Sequence, residues 1–232
     1  MFETQTLTPE GRRLAPLIDH TLLRPDATEP EIVRLCAEAR ACGFRTVCIE
    51  HRWLSVAGRE LAGSPVHPIT VVGFPRGDES PEAKRAETAF AVGLGAREID
   101  MVLNRSFVKE RLLGEAAREI ESVVREAAGL PVKVILEISE LTDTEVVLAC
   151  AVSAIAGAAF VKTSTGFSKG GATAERVRLM RDAVGPRLGV KASGGVRTTA
   201  DALAMIEAGA TRLGTSASVG IVTARAGGGG GY

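Results

Sequence analysis

The sequence has few aromatic residues, few histidines and no long apolar run. Aromatic side chains make up 4% of the 232 residues, and there are three histidines. Lys plus Arg and Asp plus Glu each number 28, so the formal charge is zero and no positive surplus exists to attract nucleic acid. No apolar stretch approaches the roughly 18 residues of a membrane span, and the N-terminus lacks a signal-peptide pattern. We therefore expect a cytoplasmic protein that binds neither nucleic acid nor a membrane.

Cysteine and histidine are too sparsely placed to predict disulfides or a metal centre. The four cysteines form no C-x-x-C pair, which is typical of a protein kept reduced in the cytosol. Only His20 lies near the C-terminal end of a predicted strand, whereas a catalytic zinc ion needs several converging ligands. The sequence therefore predicts neither a metal ion nor a cofactor.

Short apolar runs rich in β-branched residues alternate with helical patterns along the chain. Strands are predicted at residues 16–23, 44–50, 68–75, 98–103, 131–138, around Lys162, 188–193 and 211–214. Helices fill the intervals, including 51–63 and 108–128, and Thr28 with Glu31 forms a capping box at the start of the first. Strands and helices that alternate in this way indicate parallel strands with right-handed crossovers.

Eight such units predict a single-domain α/β protein, a (β/α)8 TIM barrel. The competing architecture is a doubly wound open sheet, which more often has a glycine-rich dinucleotide turn after the first strand, where this chain has Asp19 and His20. We expect an irregular N-terminal segment over residues 1–13, a catalytic barrel over 14–225 and a flexible glycine-rich tail over 226–232.

Three of the six lysines interrupt apolar strands. Lys133, Lys162 and Lys191 lie in predicted strands five, six and seven, where burial disfavours the ammonium form and lowers the pKa. Two neighbouring lysines should lower each other's pKa further, which favours a nucleophilic amine suited to Schiff-base chemistry. Two alternatives remain: Lys162 extends to the surface, or the lysines form a structural salt-bridge cluster with Asp100 and Glu137.

Glycine-rich turns follow the last two strands. Gly194 and Gly195 follow strand seven, and Gly214 lies at the end of strand eight, just before Ser216. In barrels the loops after strands seven and eight frequently bind phosphate, because backbone N–H groups and helix N-termini complement the negative charge. The alternative is that these glycines only allow tight turns.

Several stretches together resemble the deoxyribose-phosphate aldolase family, in order, from about residue 14 to 222. They are 18–23 (IDHTLL), 72–75 (VGFP), 98–100 (EID), 160–167 (FVKTSTGF), 170–173 (GGAT), 190–197 (VKASGGVR) and 212–216 (RLGTS). The resemblance implies a metal-independent class I aldolase, a lyase of carbohydrate catabolism. It would reversibly cleave 2-deoxy-D-ribose 5-phosphate to D-glyceraldehyde 3-phosphate and acetaldehyde.

The resemblance also implies roles for individual residues. Lys162 would form the Schiff base, Lys191 would tune it, and Asp100 would transfer protons. The residues predicted to bind the substrate are Asp19, Thr163, Thr165, Gly166, Gly194, Gly195, Gly214 and Ser216. Many relatives carry adjacent small polar residues where this chain has Ser216-Ala217-Ser218. The resemblance therefore does not establish one of the phosphate contacts in this stretch.

Two further expectations concern assembly and the tail. Barrels of this family tend to form homodimers, although no stretch of this sequence marks an interface. By the same resemblance Tyr232, the only tyrosine, would assist proton transfer in the active site; the alternative is a tail without a role. Two functional alternatives stay open: a Schiff-base aldolase for another phosphorylated sugar, and a non-catalytic barrel that only binds a sugar phosphate.

Overall fold

Eight parallel strands close into a barrel in a computed structural model that describes residues 6–223. Each strand pairs with the next along the chain, and the last pairs with the first. The strands are β1 (Ile18–Leu22), β2 (Thr46–Ile49), β3 (His67–Val72), β4 (Ile99–Val102), β5 (Val132–Ile135), β6 (Phe160–Lys162), β7 (Gly189–Ser193) and β8 (Arg212–Thr215). The predicted (β/α)8 barrel is confirmed.

Helices follow the strands and cover the outside of the barrel. Those of the described residues are α1 (Pro9–Leu14), α2 (Glu29–Cys42), α3 (Leu54–Glu60), α4 (Pro81–Gly93), α5 (Arg105–Lys109), α6 (Leu113–Glu126), α7 (Asp143–Ile155), α8 (Ala174–Val184), α9 (Thr199–Glu207) and α10 (Ser218–Thr223). The capping box predicted at Thr28 is present, with Glu31 accepting from the Thr28 N–H at 2.9 Å. Within the described residues no helix is long and apolar enough to cross a membrane.

Apolar side chains form two clusters, one on each side of the barrel wall. The larger cluster lies between the strands and the helices. The smaller one is formed by alternate residues of β2 and β3, together with Leu23 just after β1: Leu23, Cys48, Ile69 and Val71, with Phe74 packed against them. Because side chains alternate along a strand, this smaller cluster faces the barrel interior. One side of the interior is therefore apolar, and the opposite, charged side is supplied by β4 to β8 together with Asp19 of β1.

The prediction of an irregular N-terminal segment over residues 1–13 is wrong for its second half, because Pro9–Leu14 is helical. Thr8 caps α1 by accepting a hydrogen bond from the Gly11 N–H at 2.9 Å. Gly11 packs so closely on the end of α10 that a Cβ atom there would lie 2.0 Å from the Val222 carbonyl oxygen. This packing against α10 involves residues distant in sequence, so no local pattern reveals it.

The predicted helix over residues 108–128 is also wrong, since two helices replace it. Arg111 has φ 62°, in the left-handed region, and this residue separates α5 from α6. The Leu112 N–H donates to the Phe107 carbonyl oxygen at 2.7 Å, which closes the turn between the two helices. The predicted helix over 51–63 is shorter than expected: a 3₁₀ turn at His51–Trp53 precedes α3.

Candidate active site

Four consecutive strands each direct one basic side chain into the charged side of the barrel. Lys133, Lys162, Lys191 and Arg212 come from β5, β6, β7 and β8, and no more than 7% of any of them is exposed. The strand register places Lys162 beside Lys191, and Lys191 beside Arg212. Neighbouring parallel strands lie only about 4.8 Å apart, so these cations are close together.

Asp100 on β4 joins the three lysines. Its Oδ1 accepts a hydrogen bond from Lys133 at 2.6 Å. Its Oδ2 accepts from both Lys162, at 2.9 Å, and Lys191, at 2.8 Å. The structure therefore brings together the three predicted catalytic residues, Lys162, Lys191 and Asp100, around a single carboxylate oxygen.

Two more carboxylates complete the network nearer the N-terminal ends of the strands. Asp19 lies 2.5 Å from the Lys191 Nζ and accepts from Arg212 at 2.8 Å and from the Thr46 hydroxyl at 2.7 Å. Glu98 lies 2.5 Å from the Lys133 Nζ and accepts from Arg212 at 3.0 Å. Asp19, predicted to bind substrate, is thus held by side chains of the network and is 0% exposed.

Counting charges identifies Lys162 as the cation with the weakest compensation. The network holds four basic side chains and three carboxylates, so one positive charge is in excess when every group is ionised. Lys191 and Arg212 each contact two carboxylates and Lys133 contacts three, whereas Lys162 contacts only Asp100 within the described residues. Removing one proton from Lys162 restores the balance at the lowest cost, because a buried charge without a partner is strongly disfavoured.

The pKa values follow this arrangement. Burial lowers the pKa of Lys162 below its ordinary value, Asp100 opposes this shift, and the neighbouring Lys191 adds to it. Burial also opposes ionisation of Lys191, but Asp100 and Asp19 together hold the pKa of Lys191 above its ordinary value. The prediction that the two lysines lower each other's pKa therefore holds for Lys162 and is wrong for Lys191, because two carboxylates outweigh one ammonium. The pKa of Lys162 is therefore lowered while that of Lys191 is raised, so a free amine forms more readily at Lys162 than at Lys191.

Glu137 is not part of the lysine cluster. β5 ends at Ile135, and Glu137 takes the left-handed conformation with φ 55°. Its carboxylate accepts from the Thr165 N–H at 3.1 Å, from the Thr165 hydroxyl, and from the Ser168 hydroxyl at 2.8 Å. The expectation that Glu137 converges with the lysines is therefore wrong: Glu137 shapes the loop that follows β6.

Of the residues after Lys162, Thr163 forms hydrogen bonds between two strands, and the others belong to the loop that follows β6. Thr163 is fully buried, and its hydroxyl donates to the Ser193 carbonyl oxygen at 2.8 Å while accepting from the Ser193 N–H at 2.9 Å. Thr163 thus joins the ends of β6 and β7. Gly166, with φ 91°, reverses the chain after Thr165. Phe167 follows, and its ring packs edge-on against that of Phe74 with 5.2 Å between the ring centroids.

The glycines after β7 and on β8 have different roles. Gly194 and Gly195 have φ of 82° and 81°. A Cβ atom on Gly195 would meet nothing within 4 Å, so Gly195 borders open space, whereas a Cβ atom on Gly194 would lie 3.0 Å from the Gly171 Cα. Gly214 instead makes room for a lysine, since a Cβ there would lie 2.8 Å from the Lys191 Cε. Ser216 is half-buried between β8 and α10. Of the predicted phosphate contacts, Gly195 therefore borders open space, Gly194 is buried against Gly171, and Gly214 makes room for Lys191.

Tyr232 and the glycine tail lie outside the described residues, so their predicted role stays a prediction. Among residues 6–223, no group of three or more His, Cys, Asp or Glu side chains could hold a metal ion.

Glu98 and Arg212 were not predicted as site residues. The available signal was the period of two, which places Glu98 on the same face as Asp100 and Arg212 on the same face as Gly214.

Comparison with known proteins agrees with this geometry. Residues 13–227 match the model of the DeoC/LacD family aldolases. The chain belongs to this family. It is 52% identical over 214 residues to the deoxyribose-phosphate aldolase of Halalkalibacterium halodurans, which covers 91% of this chain and 96% of the relative. It is 53% identical to deoxyribose-phosphate aldolase 1 of Bacillus licheniformis, with 91% and 95% covered.

A solved structure also resembles this DeoC/LacD family aldolase. The tetrameric deoxyribose phosphate aldolase from Aeropyrum pernix superposes with a TM-score of 0.84 at 35% identity, covering 91% of this chain and 90% of that one. The chain of this family member is therefore similar to aldolases along almost its whole length, including the strands that carry the charged network.

Proposed function

We propose that this chain reversibly cleaves 2-deoxy-D-ribose 5-phosphate to D-glyceraldehyde 3-phosphate and acetaldehyde through a Schiff base on Lys162. The observation that carries this proposal is the shared oxygen of Asp100, which holds the Lys162 and Lys191 Nζ atoms at 2.9 and 2.8 Å. One carboxylate oxygen can thus exchange protons with the amine that reacts and with an ammonium that stays charged.

In the direction of synthesis, the free amine of Lys162 adds to the carbonyl carbon of acetaldehyde. The carbinolamine loses water to give an iminium ion, whose positive charge lies against the Asp100 carboxylate. Loss of a proton from the methyl carbon gives an enamine, which attacks the aldehyde carbon of glyceraldehyde 3-phosphate. Water then hydrolyses the product iminium and releases the sugar. General acid–base groups such as Asp100 and Lys191 are typically worth 10²–10⁴-fold in rate.

The interior surface suits a small apolar donor. Cys48 on β2 and Val71 on β3 belong to the apolar cluster that faces the lysines across the barrel. A methyl group on the carbon next to the Schiff base would lie against this surface without losing hydrogen bonds to water. Burial there also keeps bulk water from the enamine, which favours carbon–carbon bond formation over hydrolysis.

We also propose that the turn at Gly194 and Gly195, with Ser216, binds the substrate phosphate. The turn leads into α9, and Ser216 leads into α10, so two helix N-termini face this end of the barrel. Phosphate bound far from the reacting carbon orients it in the transition state. The four free, buried cysteines support action in the reducing cytoplasm. A homodimer stays a prediction for light scattering to test.

The direct test is turnover of deoxyribose 5-phosphate, followed by the glyceraldehyde 3-phosphate released, in the wild type and in Lys162→Met. Activity should disappear in the variant, while Lys109→Met, which changes an exposed lysine, should match the wild type. Deoxyribose without phosphate should react far more slowly. Turnover only of another phosphorylated sugar would change the substrate, and binding of deoxyribose 5-phosphate without turnover would indicate a barrel that only binds it.

A further inference from the structure

We propose that Glu98 and Arg212 are positioning residues that set the charge carried by Lys162, although neither side chain contacts it. This inference rests on the proposed role of Lys162 as the reacting amine. Both residues lie at the start of the barrel wall, where β4 and β8 begin. Neither forms a hydrogen bond or ion pair with Lys162 in the part of the chain that the structure describes.

A closed ring of buried contacts links Arg212 to Asp100, the partner of Lys162. One side runs from Arg212 through Glu98 (3.0 Å) to Lys133 (2.5 Å) and then to Asp100 (2.6 Å). The other side runs from Arg212 through Asp19 (2.8 Å) to Lys191 (2.5 Å) and then to Asp100 (2.8 Å). Removing the charge of Arg212 or Glu98 therefore changes the electrostatic potential at Asp100, because both sides of the ring end at this carboxylate.

The groups that face each member come from every neighbouring element of the barrel interior. Lys162 faces Asp100, Lys191 and Cys48. Glu98 faces Lys133 and Arg212, and Arg212 faces Asp19, Glu98 and the ring of Phe160, which lies 5.1 Å from its guanidinium. All of these charged groups are at most 7% exposed, so water screens them poorly and the total charge of the ring governs which groups ionise.

The charge count predicts shifts of opposite sign for the two residues. Without Glu98 the network has four cations and two carboxylates, so an ammonium at Lys162 is more strongly disfavoured. Without Arg212 it has three of each, and an ammonium at Lys162 is fully balanced. Glu98→Gln should therefore move the pH dependence of adduct formation to lower pH, and Arg212→Met should move it to higher pH. Each shift should be about one pH unit for a charge acting across two or three intervening groups.

A purely structural role predicts something different. Loss of packing or of hydrogen bonds would lower stability and rate in both variants without moving the pH profile in opposite directions. Lys84 and Glu119 provide a matched control, because they form another buried ion pair, with 2.7 Å between the Nζ and Oε1 atoms and both side chains 0% exposed. This pair joins α4 and α6, and the hydrogen bonds of its two side chains go to Gly77, Val102 and Asn104 and to each other, not to a member of the ring. Glu119→Gln should destabilise the protein and leave the pH profile unchanged.

The experiment measures the rate of adduct formation at Lys162 against pH, using acetaldehyde with cyanoborohydride and mass spectrometry of the full chain. We expect a lower pH midpoint for Glu98→Gln and a higher one for Arg212→Met. Arg212→Lys keeps the charge and Glu119→Gln lies outside the ring, so both should have the wild-type midpoint. If either Glu98→Gln or Arg212→Met does not fold, the direction of the midpoint shift in the other variant still tests the inference. Asp19→Asn also removes a carboxylate, so its midpoint should shift in the same direction as that of Glu98→Gln. Unmoved midpoints, or shifts of the same sign, would overturn the inference. A wild type without any adduct at Lys162 would instead contradict the proposed function.

Discussion

Replacing Lys191 by methionine should raise the pH at which Lys162 becomes a nucleophile. Methionine keeps the length and most of the volume of lysine but removes the ammonium. Lys162 would then share Asp100 with Lys133 alone, and three cations would face three carboxylates. Because the charged form of Lys162 would be balanced, its pKa should rise towards the ordinary value of lysine.

The size of this shift follows from the shared oxygen. The Nζ atoms of Lys162 and Lys191 lie 2.9 and 2.8 Å from the Asp100 Oδ2. They are therefore at most about 5.7 Å apart, where two unit charges repel by roughly 3 kcal/mol at an effective dielectric constant of about 20. This energy corresponds to about two pKa units, or ~100-fold less free amine at a pH below both pKa values.

The assay is the pH dependence of adduct formation between acetaldehyde and Lys162 under cyanoborohydride, which does not depend on later proton transfers. Lys191→Met should shift the midpoint upwards by about two units, roughly twice the shift expected for the more distant Arg212. Lys109→Met removes an exposed lysine and should leave the midpoint unchanged. A Lys191→Met profile that overlays the wild type would refute the reasoning, because repulsion at this distance could not then be what lowers the pKa of Lys162.

The remaining predictions concern catalysis, stability and the tail. Asp100→Asn should lower turnover of deoxyribose 5-phosphate by roughly 10²–10⁴-fold, and near-normal kcat would remove Asp100 from proton transfer. Lys84→Met should cost about 3–5 kcal/mol in urea denaturation, because Glu119 would be left buried without its cation; an unchanged midpoint would contradict this. The pKa values of Asp19 and Asp100 lie below their unfolded values, so their contribution to stability is present above about pH 4 and should be lost as pH falls through the folded pKa values. Acid unfolding should therefore be shallower in Asp100→Asn. Tyr232→Phe should lower turnover several-fold without changing adduct formation, and equal turnover in a chain that lacks the glycine tail would show that the tail is idle.

Sequence patterns predicted the barrel and its central lysines because both leave a local signature. Apolar runs of strand length recur along the chain, and a lysine inside such a run is recognisable because its charged side chain is unusual in a buried strand. Lys133, Lys162 and Lys191 each interrupt an apolar strand, and the period of two assigns them to one face. The register of neighbouring strands then brings Lys162 beside Lys191. These features depend only on spacing along the chain and on the pairing of consecutive strands.

The features that the sequence did not reveal depend on contacts between distant residues or on single backbone angles. Glu98 and Arg212 lie at strand starts, where charged residues are common, and their pairing spans the barrel interior. Glu137 follows the period of two, but its left-handed conformation turns it towards the next loop. Gly214 looks like a turn residue, yet its missing side chain makes room for Lys191. For Glu98 and Arg212 the period of two indicates the face of the strand but not the partner, and for Glu137 and Gly214 no local pattern shows the conformation or the contact.

The central claim is that Lys162 is the amine that forms the Schiff base. The most direct measurement is peptide mapping of the full chain after reduction with borohydride in the presence of acetaldehyde. We expect one ethyl group on the peptide that contains Lys162, and unmodified side chains at Lys133 and Lys191. An adduct at either of those positions, or no adduct under conditions in which deoxyribose 5-phosphate is cleaved, would contradict it.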